Sequence, residues 1–106
     1  MKPKFYGFNA ADRCWTELPE AAPIEIHGER YVSHHEWNGD EDDWAVTDID
    51  TGAIIAVGYT REKAILEARV RLKRLPGKIE TARAEIKQTK GWLPCPYPNG
   101  AADNGR

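Results

Sequence analysis

The chain has 106 residues, of which 41% are hydrophobic and 30% charged, with a formal net charge of −2. That length holds one domain with one modest core, and the composition excludes collagen-like, disulfide-dense and low-complexity classes. No apolar run approaches the roughly 20 residues of a membrane span. The opening Met1-Lys2-Pro3-Lys4-Phe5 lacks the continuous apolar stretch of a signal peptide, so the expected location is cytoplasmic. Cys14 and Cys95 are too few to form a framework and read as free thiols.

In chain order, Phe5-Tyr6-Gly7-Phe8 reads as a short strand or an aromatic plug, and Trp15 to Pro19 as irregular. From Pro23 the pattern alternates. Ile24 and Ile26 flank Glu25, Gly28-Glu29 supplies a turn, and Arg30 to Trp37 forms a second strand. Asn38-Gly39 opens a polar turn through Asp40-Glu41-Asp42-Asp43. Trp44 to Ile49 is the next strand and Ala53 to Tyr59 the one after, joined by Asp50-Thr51-Gly52 with Gly52 left-handed. Thr60 reads as an N-cap, with Glu62 in the first turn of a helix that runs to Leu75 and stops at Pro76-Gly77.

On that helix Ala64, Ile65, Ala68, Leu72 and Leu75 share one stripe, which should lie on the sheet. Leu66 and Val70 point elsewhere. The expectation is that a second helix, Lys78 to Lys90, folds back as a hairpin and covers them with Ile79, Ala82 and Ile86. Gly91 stops it. Trp92-Leu93-Pro94-Cys95-Pro96-Tyr97-Pro98, with proline at every second position from Pro94, favours an extended strap. The expected fold is α+β: a three- or four-stranded antiparallel meander with two helices on one face and a Pro-rich C-terminal strap. The domain should span 1–98, with a disordered tail at 99–106.

The small net charge hides a division. Residues 1–60 carry four Lys/Arg against twelve Asp/Glu, a net of −8, while residues 61–90 carry ten against four, a net of +6. Either the basic helices lie on the acidic sheet and mute it, or each half faces a partner.

Catalytic and metal motifs are thin. Ile49-Asp50-Thr51-Gly52-Ala53 matches the core motif of retroviral-type aspartic proteases, whose chemistry needs two aspartates sharing a proton across a dimer. Here one strand and then a helical stretch follow, and a hairpin turn accounts for the motif. Asp48 to Gly52 and Asp40 to Asp43 lack the donor spacing of a calcium loop. His27, His34, His35, Cys14 and Cys95 lack zinc-ligand spacing, and adjacent His34 and His35 leave opposite faces of a strand. The reading is non-enzymatic, with no cofactor and no metal.

Binding surfaces are richer. Four consecutive carboxylates, Asp40, Glu41, Asp42 and Asp43, stand between Trp37 and Trp44, a composition suited to docking in a basic groove with indole anchors. The alternative is a nucleic-acid surface made by Arg69, Arg71, Lys73 and Arg74. The segment carrying Trp44, Val46, Thr51-Gly52, Gly58-Tyr59-Thr60, Ala64 and Ala68 resembles small uncharacterised phage and prophage proteins. Its Gly-x-Thr-helix half is similar to HicB-type antitoxins. The first resemblance implies an accessory role, including inhibitors of host defence such as anti-CRISPR proteins. The partner would then be a host protein or nucleoprotein, met by a monomer or a homodimer and without a membrane. The second implies an antitoxin using the basic helices on nucleic acid.

Overall fold

A computed structural model describes residues 4–9, 11–36, 43–75 and 79–97. The order is β1 (Tyr6–Asn9), β2 (Cys14–Glu17), β3 (Ala22–Ile26), β4 (Glu29–His35), β5 (Trp44–Asp48), β6 (Ile54–Gly58), α1 (Arg61–Lys73) and α2 (Ile79–Lys87). Strands β3 to β6 form one antiparallel meander in sequence order, and β1 and β2 form a separate two-stranded hairpin. The fold is α+β, as the alternation and helical periods indicate. Residues 37–42 and 76–78, and the tail from 98, lie outside the described residues; they include Trp37, Asp40, Glu41, Asp42 and the stretch read as a disordered tail. Among the described residues no helix is long and apolar enough to cross a membrane.

The register sorts side chains onto two faces. Ala22, Ser33, Val46 and Ala56 are aligned across the sheet, as are Ile24, Tyr31 and Asp48. This face packs on α1: Ile26, Tyr31, Val46, Ala56, Ala64 and Ala68 form one buried cluster, joined by Ile65 and Leu72. The contact relies on small residues. A Cβ at Gly58 would lie 2.6 Å from the Ala64 backbone nitrogen, so β6 and α1 approach too closely for a side chain there. An extra residue in β6, between Ile54 and Ala56, forms a bulge opposite Val46 and Thr47. Thr60 caps α1, its Oγ1 accepting from Lys63 N–H at 3.1 Å.

The opposite face carries Val32, which packs with Phe5 and Leu18 from the two ends of the N-terminal hairpin. The stretch from Trp15 to Pro19, read as irregular, is therefore half strand. Cys14–Glu17 pairs with Tyr6–Asn9, with Trp15 opposite Phe8. Its four residues are too short for alternation to stand out, and a proline follows closely. The hairpin is tied to the β5–β6 turn. Phe8 N–H donates to Gly52 O at 3.0 Å, and a Cβ on Gly52 would meet Phe8 N at 2.5 Å and the Trp15 ring at 2.6 Å. Gly52 sits at φ +76°, the left-handed position expected of it. Past α2, the Trp92 indole donates to Thr51 O at 2.9 Å, the Trp15 indole to Leu93 O at 2.8 Å, and Tyr97 stacks on Tyr6 at 4.5 Å.

The second helix departs from the expected hairpin. It buries no residue fully, and it leaves Leu66 62% and Val70 36% exposed. It is held instead at the end of the sheet where Asp48, Glu29 and Asp50 lie. Arg83 and Lys87 pair with those three carboxylates, which holds α2 away from the outer face of α1.

Candidate functional site

The densest polar constellation gathers at that end. Asp48 shares the helix-facing side of β5 with Val46 and is 1% exposed. A carboxylate so buried must be paired and hydrogen-bonded to remain ionised. Its Oδ2 accepts from Thr51 N–H at 3.1 Å and Thr51 Oγ1–H at 2.8 Å. Arg83 donates to Oδ1 from Nη2 at 2.8 Å and from Nε at 3.1 Å, while its Nη1 reaches Glu29 Oε1 at 2.8 Å. Burial pulls the guanidinium pKa down, but its hydrogen bonds to the Asp48 and Glu29 carboxylates, with their charges, outweigh that and hold it above its ordinary value. With four donors on Asp48, no lone pair remains for proton abstraction. The group is a staple joining the β3–β4 turn, the β5–β6 turn and α2.

Asp50, the aspartate of the Asp-Thr-Gly motif, is half-exposed and pairs with Lys87 Nζ at 2.8 Å. Thr51 is buried and occupied by Asp48 and by Ala53 N–H, so the motif forms the hairpin turn. Sequence reasoning missed the partnership of Asp48 and Arg83, although a signal existed. Arg83 falls on the same helical stripe as Ile79, Ala82 and Ile86, an unusual place for a cation unless it meets a carboxylate.

The histidines separate as the strand period requires. His34 is fully buried; its Nδ1 donates to His35 O at 2.6 Å, leaving Nε2 to accept from Thr47 Oγ1–H at 2.7 Å. Burial lowers its pKa below that of a free imidazole, against the raising effect of the backbone hydrogen bond. His35, on the other face, lies 3.9 Å from the Trp44 ring, centroid to centroid. Among the described residues no three His, Cys, Asp or Glu come together to hold a metal ion. Cys14 is exposed and Cys95 half-buried, both free thiols, and burial pushes the Cys95 pKa up.

Of the residues proposed for protein binding, Asp43 and Trp44 are described. Glu36 N–H donates to Asp43 O at 3.0 Å, closing the base of the β4–β5 connection beyond the His35–Trp44 pair. Trp44 is half-buried, with the Arg61 guanidinium 4.3 Å from its ring centroid on the side of α1. Arg61 also donates to Glu20 O at 3.3 Å. Glu36 and Asp43 make no ion pair among the described residues.

Of the four cations proposed for nucleic acid, Arg71 is committed, donating to Glu67 Oε2 at 3.2 Å and to Ile55 O at 3.1 Å. Arg69, Lys73 and Arg74 are exposed and make no ion pair among the described residues. They flank the uncovered Leu66 and Val70. No protein-family model, curated protein or solved structure matches this chain.

Proposed function

We propose that this protein is a non-enzymatic interaction module that binds a basic groove on another protein through the carboxylates of Asp40, Glu41, Asp42 and Asp43. One observation carries the reading. The α2 cations Arg83 and Lys87 are committed to Asp48, Glu29 and Asp50, at the end of the sheet opposite Asp43. Arg61, at the start of α1, is engaged by Trp44 and the Glu20 carbonyl. The pairs that hold the fold together thus leave Asp43 without an ion pair among the described residues, and the Glu36–Asp43 backbone hydrogen bond anchors the base of the acidic connection on the two central strands. Four consecutive carboxylates between two strands suit a partner rich in Arg and Lys, including one built to hold a phosphate backbone. The likeness to small phage and prophage proteins points the same way, toward an accessory inhibitor of a host defence protein or nucleoprotein.

The test is affinity capture from a bacterial host extract, comparing the natural chain with Asp40→Asn, Asp42→Asn and Asp43→Asn combined. Loss of a specific, salt-sensitive partner in the variant is the expected result. Retention of every partner by a folded variant overturns the reading.

A second reading rests on Arg69, Lys73 and Arg74, exposed and without an ion pair among the described residues: binding of nucleic acid along the outer face of α1. It requires a duplex or single-strand mobility shift that weakens steeply with salt and is lost in the triple alanine variant.

A further inference from the structure

A hollow lies away from both surfaces. It is a bowl of about 460 Å³ between the β1–β2 turn, the β5–β6 turn and the end of α2. That volume falls in the range of small-molecule sites, which are mostly apolar with a few convergent polar groups. Phe8, Ile54, Ile86 and Trp92 supply apolar walls. Ile54 is 41% exposed.

The walls are fixed in advance of any ligand. The Trp92 indole is bonded to Thr51 O, and its ring stands 6.4 Å from both Phe8 and Trp15. Thr51 is in turn locked to buried Asp48. The Thr51 hydroxyl thus already donates to Asp48 and accepts from Ala53 N–H.

Two cations complete the lining, Arg13 and Lys90, and no carboxylate joins them. Neither makes an ion pair or a side-chain hydrogen bond among the described residues. Arg13 sits at φ +55°, a conformation that costs a non-glycine residue energy, and its guanidinium crosses Gly91. A Cβ at Gly91 would stand 3.5 Å from Arg13 Nε, and Gly91 itself has φ +95°. Two like charges, one from the acidic N-terminal stretch and one from the basic helical stretch, thus face one apolar bowl.

We infer that this bowl binds a small aromatic carboxylate, its ring against Trp92, Phe8 and Ile54 and its carboxylate between Arg13 and Lys90. Charge complementarity selects the anion, since the walls are largely apolar and the two charged side chains in the lining are both cationic. The rings select a flat ligand through stacked or edge contacts. The site does not involve Asp40, Asp42 or Asp43, so its success or failure is independent of the function proposed above.

The experiment titrates the full chain with 1-naphthoate, and in parallel with the neutral 1-naphthamide, following backbone and indole resonances by NMR. Saturable shifts at the Trp92 indole and at residues 51–54 are expected, with half-saturation on the order of 0.1–1 mM for a ligand of this size. Arg13→Gln with Lys90→Gln, both on exposed side chains, should weaken naphthoate about tenfold and leave naphthamide unchanged. Combined Asp40→Asn, Asp42→Asn and Asp43→Asn should leave the naphthoate titration intact. No saturable shift up to several millimolar, or equal binding of acid and amide, overturns the proposal. So does retention of naphthoate affinity by a folded Arg13→Gln, Lys90→Gln variant.

Discussion

The two helices are attached to the same sheet by different physics. Helix α1 begins at a capping threonine and buries Ala64 and Ala68 completely against Ala56, Val46 and Tyr31. Its attachment is close packing of small side chains, with Gly58 removing the Cβ that would hold it off. Helix α2 buries nothing fully and is attached by Arg83 and Lys87 to Asp48, Glu29 and Asp50. Dispersion and apolar burial act over short contacts and are indifferent to salt. Ion pairs depend on burial, and where exposed they fade with screening. One helix is therefore bound by shape and the other by charge, and their responses to mutation should diverge.

The largest divergence should come from Arg83→Ala. It leaves Asp48 buried without a cation, a loss on the order of 3 kcal/mol in urea unfolding. Gly58→Ala attacks the other attachment. The new methyl meets Ala64 backbone that no side-chain rotation can clear, so about 2 kcal/mol should be lost with no dependence on salt. Thr60→Ala removes the acceptor for Lys63 N–H and should cost about 1 kcal/mol. Lys87→Ala is the smallest. Its pair with Asp50 is half-exposed on both sides, so the effect should stay below about 0.5 kcal/mol and vanish in high salt.

Mildly acid pH, above the ordinary carboxylate range, sharpens the comparison because it strikes a histidine of the shared sheet before either attachment. His34, fully buried on the face away from α1, has a pKa depressed below 6.5 by burial, with the neighbouring His35 adding to the effect and the backbone hydrogen bond opposing it. A folded state that prefers the neutral ring gains this stability fully above about pH 6.5 and loses it as pH falls through the depressed value. Unfolding midpoints should fall below pH 6.5 in the natural chain and less steeply in His34→Gln, with both helices melting together.

What could be read from the sequence follows from the range of each interaction. The meander from Ala22 to Gly58, the left-handed Gly52, the Thr60 cap and the Ala64–Ala68 stripe are local patterns, and each stands in the structure. The β1–β2 hairpin escaped because Cys14–Glu17 is too short to show a period, and its packing depends on a close approach to Gly52 many residues away. The placement of α2 escaped for a related reason. Apolar periodicity sets Ile79, Ala82 and Ile86 on one stripe, but it cannot show that Arg83 on that stripe meets a carboxylate buried on β5. The exposed Leu66 and Val70 are the consequence. For the candidate binding residues, the sequence separated acid from base but could not show that Arg71 is held by Glu67 and Ile55, or that Trp44 stands between His35 and Arg61.

The measurement closest to the central claim is hydrogen exchange on Asp48→Asn, an isosteric change that keeps an oxygen for Thr51 while removing the charge facing Arg83. The amides of Ile79–Lys87 should lose protection while those of Arg61–Lys73 keep theirs. Equal loss in both helices, or unchanged protection in α2, would contradict the claim that the ion pairs of Arg83 and Lys87 are the main attachment of the second helix.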